Sequence, residues 1–599
     1  MDSLPEPPAF DAYESPFPPH FSQPILPSPI VDSPKPLEIF NLFFGEDILA
    51  PIVENTNQYA EIKRKGEEEN LVENKGDGRK VTTRPWSPVS LPEIRIFIGL
   101  QIWMGVNCLP AIEDHWQTGT CDPIMRYMSC NRYQQIKRYF HISPPEDTYK
   151  REDWWRKMEP LASHLRQRFQ QHFLPSSNIS FDEMMVLCKG RSAHTIKLPG
   201  KPIDQGYKIY ALCDQGYTYL FLFYSGMTGN EVSEFTQTTS SYTHISKERS
   251  LALYNYNNRK LTKSEILKLS TGFSPTAQAV CHLVFSLPFQ SYQFNIYMDN
   301  YFTSIPLFRH LRDHGLGAAG TTRANRPDFP STLTISKDIT KRILEWNYLS
   351  GVVVNGVCAV LWQDNNTVLF LTTIHNLRQL VLSNRRKPKK TSTNASAARK
   401  PFATHEHKKL LPIPALVDDY NQYMGGVDIA DQLRSNYPCH QTSRRNWLPL
   451  WFWALDTAIT NTYLIARSLS PKCEHKAFRR ELALGLGESG WSQLHPLLHP
   501  PQPESKSYVT LKTSLPPFHL RTTGDHQPYS RSNQRQLCWY CRYKKLHGDP
   551  KNPPPACQRK EHLEAIEVSK TATWCSRCEL PLCLKNRCFL DFHTVHSRS

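Results

Sequence analysis

Four aspartates and a C-terminal run of cysteines and histidines carry the chemistry legible in this chain. Asp428 and Asp431 stand three apart in YNQYMGGVDIADQ, Tyr420 to Gln432, just after Gly425 and Gly426. Alone, this is a glycine turn opening an amphipathic helix with acids in its first turn, an ordinary use of the helix dipole. Asp182 in ISFDEMM and Asp299 in IYMDNYFTSIPL each follow an apolar run with strand character. Distant acids brought together at strand ends are what a divalent-ion phosphoryl-transfer site requires. Mg²⁺ takes carboxylate oxygens and keeps several waters, and two ions can activate an attacking oxygen and stabilise a leaving one. Any one of these aspartates by itself is ordinarily a turn or cap residue, and Glu183 reads as a solvent-facing neighbour.

The tail supplies a second kind of site. Cys538-x2-Cys541, Cys575-x2-Cys578, Cys583-x4-Cys588 and His593-x2-His596 make four ligand pairs, enough for two Zn²⁺ ions at four ligands each. Consecutive or alternate pairs could share an ion, and Cys557 is spare. The other nine cysteines scatter between Cys108 and Cys473 without regular spacing. With no basic patch and apolar segment at the N-terminus, a secretory signal is not expected. A reducing compartment with metal sites is therefore favoured over a disulfide framework.

The elements that must position these residues change character along the chain. Residues 1–36 hold eleven prolines and read as a disordered arm. Helical spacing begins at Pro36-Leu37-Glu38, and residues 61–85 read as a mobile charged loop. LPEIRIFIGLQIWMG, CNRYQQIKRYFHIS and WWRKMEPLASHLRQRFQQHF then continue a mainly helical region. From Asn178 the texture turns to short β-branched and aromatic runs: NISFDEMMVLC, then GYKIYALCD and YTYLFLFYSG joined through DQG, then FNIYMDN. YFTSIPLFRHLRDHG follows as a helix ending at Gly315. Together these predict a mixed α/β sheet. Val352–Ile374 predicts a hairpin turning at Asp364–Asn366. RRNWLPLWFWALDTAITNTYLIARS returns to helix, its Trp447, Trp451, Phe452 and Trp453 expected in a core. Residues 496–535 read as a linker.

The chain has 599 residues and a formal charge of +16, which suits a polyanionic partner, nucleic acid above all. A solvated basic surface is the plainer reading. No apolar run reaches the length of a membrane span, so no membrane association is expected. RRKPKK (Arg385–Lys390) has the composition of a nuclear localisation signal, a DNA-backbone contact or a solvated loop. Arg444 and Arg445, at the start of the aromatic helix, are candidate DNA contacts.

ISFDEMM, the Gly200–Lys208 stretch, MDNYFTSIPL, WQDNN, YNQYMGGVDIADQ and RRNWLPLWFWALD, taken in this order over residues 37–480, closely resemble the piggyBac transposase family. The resemblance implies an RNase H-like catalytic core with Asp182, Asp299 and Asp428 as its Mg²⁺ (or Mn²⁺) ligands and Asp431 as a supporting acid. It implies a split plan: a helical dimerisation and DNA-binding domain (37–177 and 433–495), a catalytic domain (178–320 and 414–432), and a β-containing insertion domain (321–413) in which Trp362 packs a small core of its own. A cysteine-rich zinc domain (536–599) completes it. It implies cut-and-paste DNA transposition at TTAA through hairpin intermediates, by a nuclear homodimer acting on double-stranded DNA. Lys201 and Lys208 match basic positions of the family pattern, either as DNA-backbone contacts or as ordinary strand-surface lysines. Cross-braced zinc would place Cys538, Cys541, Cys583 and Cys588 on one ion and Cys575, Cys578, His593 and His596 on the other, in a module that recognises transposon ends. The alternative is a domesticated, non-transposing DNA-binding descendant.

Overall fold

The computed structural model describes residues 4–32, 34–73 (side chains to 66), 86–116, 123–145, 155–225, 269, 272–326, 328–334, 344–392, 394–495, 521, 526–530, 535–549, 566–576, 578 and 580–594. The chain divides into two compact units. One comprises Met1–Leu91, Gln101–Val106 and Arg138–Gly485; the other Pro92–Leu100, Asn107–Lys137 and Leu486–Ser599.

The first unit is organised by a nine-stranded mixed sheet. Its strands are β1 (Asn178–Leu187), β2 (Ile196–Lys197), β3 (Gln205–Asp214), β4 (Tyr217–Tyr224), β5 (Asn295–Met298), β6 (Gly317–Thr321), β7 (Leu349–Val354), β8 (Val357–Gln363) and β9 (Thr367–Thr372). They lie in the order β2-β3-β1-β5-β6-β9-β8-β7, with β4 also paired to β3. β1, β5 and β6 run parallel, and the remaining pairings are antiparallel. β3 and β4 are buried almost throughout, which is why they read as continuous apolar runs. Gln215 and Gly216 turn between them at φ +44° and +100°, the positive values a tight hairpin demands.

The parallel step from β5 to β6 crosses over through α2 (Ile305–Asp313), introduced here with α1 (Leu161–Gln171), which packs against β4. The Ser304 side chain caps α2 by accepting from the Leu307 amide, and Gly315 at φ +83° ends it as anticipated. Three helices follow: α3 (Ala415–Tyr423), α4 (Gly426–Asn436) and α5 (Leu448–Leu469). α5 is buried on nearly every side, against β4, α1, α4 and the helix Pro36–Asn41. Trp447, Trp451, Phe452 and Trp453 are core residues, and Phe44, Phe140 and Phe221 pack on them. A buried ion pair, Asp456–Arg479 at 3.0 Å, fixes the link between α4 and α5. Asp456 accepts from the Cys439 amide while Arg479 donates to the Tyr437 carbonyl.

Four sequence expectations change. Residues 4–32 do not form a disordered arm. Gln23–Pro24 pairs with Phe173–Leu174, His20 and Ser177 exchange hydrogen bonds, the Tyr13 amide donates to the Thr373 carbonyl, and Ser350 donates to the Pro5 carbonyl. Proline-rich backbone has few amides to satisfy, so a handful of anchors holds it along a sheet. The 61–85 loop begins as helix, since Glu46–Glu73 is continuous; residues 74–85 lie outside the described residues. The stretch 321–413 does not stand apart: β9 pairs with β6, so β7–β9 extend the central sheet. An additional turn at Asn355-Gly356, φ +51° and +77°, supplies the second hairpin that makes this possible. Trp362 therefore shares a core with Tyr297, Ala319, Ile413 and Leu416. Among the described residues there, only the antiparallel pair β10 (Leu380–Arg386) and β11 (Lys408–Pro414) forms a sheet of its own. Finally, the 496–535 linker ends earlier than expected, because Pro528–Ser530 pairs with Thr573–Cys575 in the C-terminal module.

In the second unit, Glu93 and Arg132 pair at 2.7 Å, and six cysteines with Trp539, Tyr540, Leu582 and Phe592 form a small separate core. No described helix is long and apolar enough to cross a membrane.

Candidate active site

Parallel register between β1 and β5 pairs Phe181 with Met298, so Asp182 and Asp299, the next residue in each, stand side by side. Strand spacing sets them about 5 Å apart along the sheet. α4 delivers the third acid. An added Cβ at Gly426 would lie 2.5 Å from Ser180 Oγ and 3.0 Å from the Cys213 carbonyl, so only glycine lets the helix start so close to β1 and β3. Asp428 then falls in the first turn, exposed, two residues on. The glycines do not make the sharp turn their sequence suggests. Met424 (φ −64°, ψ −29°) and Gly425 (φ −75°, ψ 5°) stay near helical values, and Gly425 has open space around it.

Electrostatics join the acids. Burial, reinforced by Glu183 and Asp299, pushes the Asp182 carboxyl up to about 8. Burial also raises Asp299, which accepts from the Tyr301 amide at 2.8 Å. Asp182, Asp299 and Asp428 all act on the Tyr420 hydroxyl, which burial together with these acids raises to about 12. Asp431 is half-buried and paired with Arg434 at 2.9 Å, so its charge is already partnered. Arg434 also reaches the Met185 carbonyl, tying α4 to β1. The acids are not crowded into one tight contact; Lys201 stands beside Glu183 at 3.3 Å, with its ammonium stabilised by Glu183, Asp182 and Asp428. Carboxylates gathered at strand ends fit a divalent cation in their donor chemistry.

Glu183 does not face solvent. It is 11% exposed and held between Lys201 and Lys208. Lys208 is buried in a box of Tyr210, Tyr224 and Tyr301, its ammonium 4.4 Å from the Tyr301 ring centre. It is thus a built-in counter-charge rather than a surface lysine. Glu183 and Tyr420 were missed as site residues although both lie inside the quoted motifs; their roles depend on which face of an element they take.

The C-terminal cysteines form two groups whose ligand atoms all lie within 4.8 Å of one another: Cys538, Cys541, Cys583 and Cys588, and His526, Cys575, Cys578 and His593. Cys541 Sγ is 3.3 Å from Cys588 and 3.6 Å from Cys583, near the roughly 3.7 Å edge of a tetrahedral thiolate zinc site. Cys578 Sγ is 3.4 Å from both His526 Nδ1 and His593 Nε2. Hydrogen bonding from Cys578 chiefly, with His593 and His526, holds the Cys575 thiol down at about 3 despite burial. These donor sets fit Zn²⁺. His526 takes the place expected for His596, which, like Cys557, lies outside the described residues. A lone histidine 49 residues before Cys575 offers no spacing signal; strand pairing of 528–530 with 573–575 brings it in.

Of the remaining candidates, Arg444 is exposed, whereas Arg445 is turned inward, donating to the Phe140 carbonyl at 2.6 Å over the Trp447 ring. In RRKPKK, Arg385 sits in β10 and pairs with Asp364 at 2.7 Å, leaving Arg386, Lys389 and Lys390 exposed.

The profile of the family described as Transposase IS4, of piggyBac type, matches residues 35–463. The chain belongs to this transposase family. That span contains all four acids. The family's human members include PiggyBac transposable element-derived protein 3 (Homo sapiens), 23% identical over 486 residues, covering 79% of this chain and 67% of that protein. PiggyBac transposable element-derived protein 2 (Homo sapiens) is 24% identical over 460 residues, covering 75% of this chain and 64% of that one. The chain thus spans about two thirds of these relatives' length. The fold is also that of a piggyBac transposase solved by cryo-electron microscopy as a synaptic complex with hairpin DNA, with a TM-score of 0.57 at 19% identity over 94% of this chain and 98% of that one.

Proposed function

We propose that this family member is a cut-and-paste DNA transposase whose phosphoryl-transfer site is Asp182, Asp299 and Asp428, with Asp431 in support. The observation that carries the reading is the meeting of acids from β1, β5 and α4 at one end of a sheet. The strand order β4-β3-β1-β5-β6, with β3 alone antiparallel to its neighbours, supports an RNase H-like core. Mg²⁺ or Mn²⁺ held by the three aspartates would supply activation of the attacking oxygen and stabilisation of the leaving one. Asp431, locked to Arg434, fixes the helix turn that carries Asp428, and Lys201 offsets the cluster's charge before DNA arrives. Water would nick a transposon end beside TTAA, and the freed 3′-hydroxyl would attack the opposite strand to close a hairpin, opened before integration. Double-stranded DNA is the partner, a homodimer the working form and the nucleus the location, with Arg386, Lys389 and Lys390 as accessible charges of the localisation signal. Two Zn²⁺ ions would shape the C-terminal module to read transposon ends, and Arg444 and Lys201 would meet the backbone.

A second reading, a non-transposing DNA binder, is favoured by the names of the human relatives, which are transposable element-derived. Nicking of TTAA-flanked ends separates the two. The purified chain should nick them with Mg²⁺ or Mn²⁺, and Asp299→Ala should lose at least about 10³-fold in rate while still binding DNA. Equal nicking by both chains would remove the catalytic assignment; binding without nicking by the parent would establish the second reading.

A further inference from the structure

We infer that a cavity beside the catalytic face holds one unpaired nucleotide of the DNA, a site that none of the four acids lines; this rests on the DNA-transposase reading above. Alternation along β1 puts Asp182, Met184 and Val186 on one face of the sheet. Val186 pairs with Tyr207 on β3, and beyond them, on that face, opens a cavity of about 520 Å³. The four-residue step from Asp182 to Val186 is about 13 Å, or about four base-pair rises along a duplex axis. A strand engaged at the acids therefore passes within reach.

The lining is selective. Arg156, Lys157 and Arg444 give it cationic walls, and no carboxylate belongs to it among the described residues. Neither Lys157 nor Arg444 pairs with an acid among the described residues. Tyr59 supplies accessible aromatic surface, backed by the buried Tyr207 and Trp447. The frame is pre-ordered: the Tyr207 hydroxyl donates to the Asn446 carbonyl at 3.0 Å, Asn446 donates to the Arg191 carbonyl at 3.0 Å, and Arg445 is fixed against Phe140 and Trp447. Cations attract a phosphate, aromatic faces stack a base, and their combination is the recognition mode of single-stranded nucleic acid. The volume suits one nucleotide and is far too small for a duplex, so the occupant must be unpaired, as bases at a broken or hairpinned end are.

The test uses the full chain and two fluorescein-labelled DNAs of one sequence, blunt or with a three-nucleotide overhang carrying 2-aminopurine. Anisotropy should show the overhang bound about tenfold more tightly, with 2-aminopurine fluorescence changed by stacking. Lys157→Glu should weaken overhang binding about tenfold and blunt binding less than about threefold. Tyr59→Ala should abolish the 2-aminopurine signal, and Tyr59→Phe should retain it. Competition by a nucleoside monophosphate at concentrations that leave blunt binding intact would show that a free nucleotide fills the same cavity. Equal binding of both DNAs by the parent, or equal weakening of both by charge reversal, overturns the inference and leaves the catalytic reading standing. Normal overhang binding by a chain that never nicks DNA sinks only the catalytic reading, and a folded chain that binds neither DNA sinks both.

Discussion

At the scale of single residues, the acids meet at a cost in stability. A carboxyl raised in the fold from 3.8 to about 8 binds its proton more tightly folded than unfolded. The destabilisation from Asp182 is therefore absent below about pH 4, grows as pH rises, and is complete above about pH 8. Asp182→Asn keeps the shape and removes the charge, so it should stabilise the chain by on the order of 2 kcal/mol at pH 7, allowing for partial exposure. Thermal unfolding at pH 4.5, 6 and 8 should show the gain widening with pH; a constant gain, or a loss, would contradict the electrostatic account. The aspartates themselves were legible because each lies in a distinctive motif. Glu183 was not, because a residue at that spacing faces either water or a neighbouring strand, and only the lysines of Gly200–Lys208 decide which. Lys208 was misread for the same reason: its burial depends on Tyr224 and Tyr301, which come from two other elements.

At the scale of elements, the two neighbouring glycines have unequal tasks. Gly426→Ala drives a Cβ to 2.5 Å from Ser180 Oγ and against the Cys213 carbonyl, so α4 must lift from β1 and carry Asp428 with it. Cleavage should fall at least about 100-fold, since sub-ångström to ångström misplacement of a catalytic group has that effect. Gly425→Ala meets nothing within 4 Å at ordinary dihedral angles and should stay within about 1 kcal/mol of the parent in stability. Comparable nicking rates for the two variants would show that close approach of α4 is not what places Asp428. A glycine pair in sequence suggests a turn, and nothing local reveals that one glycine serves close packing. The Asn355-Gly356 turn was, by contrast, available in the sequence and was passed over inside a longer apolar run. It separates β7 from β8 and so lets β7–β9 extend the central sheet. The helices and strands around the acids were readable because their periodicity is local, whereas the joining of β9 to β6 is a pairing between distant segments.

At the scale of the whole molecule, the C-terminal module shows how far ligand spacing reaches. Among the described residues its buried core is six cysteines with four larger side chains, so zinc held by the two donor sets would contribute much of its stability. The full chain should carry about two zinc ions, and a strong chelator should remove both and unfold the module. Cys541→Ser should lower the content to about one by emptying the all-cysteine group. His526→Ala should empty the other, because His526 Nδ1 lies 3.3 Å from Cys575 and 3.4 Å from Cys578. His596→Ala should leave the content at two. Metal analysis of the three variants decides the matter: if His526→Ala retains two ions while His596→Ala loses one, the fourth ligand is His596 and the strand 528–530 merely brings His526 alongside. If instead His526 holds the ion, the module begins well before its first cysteine, and metal binding closes a chain segment that composition alone marks as linker.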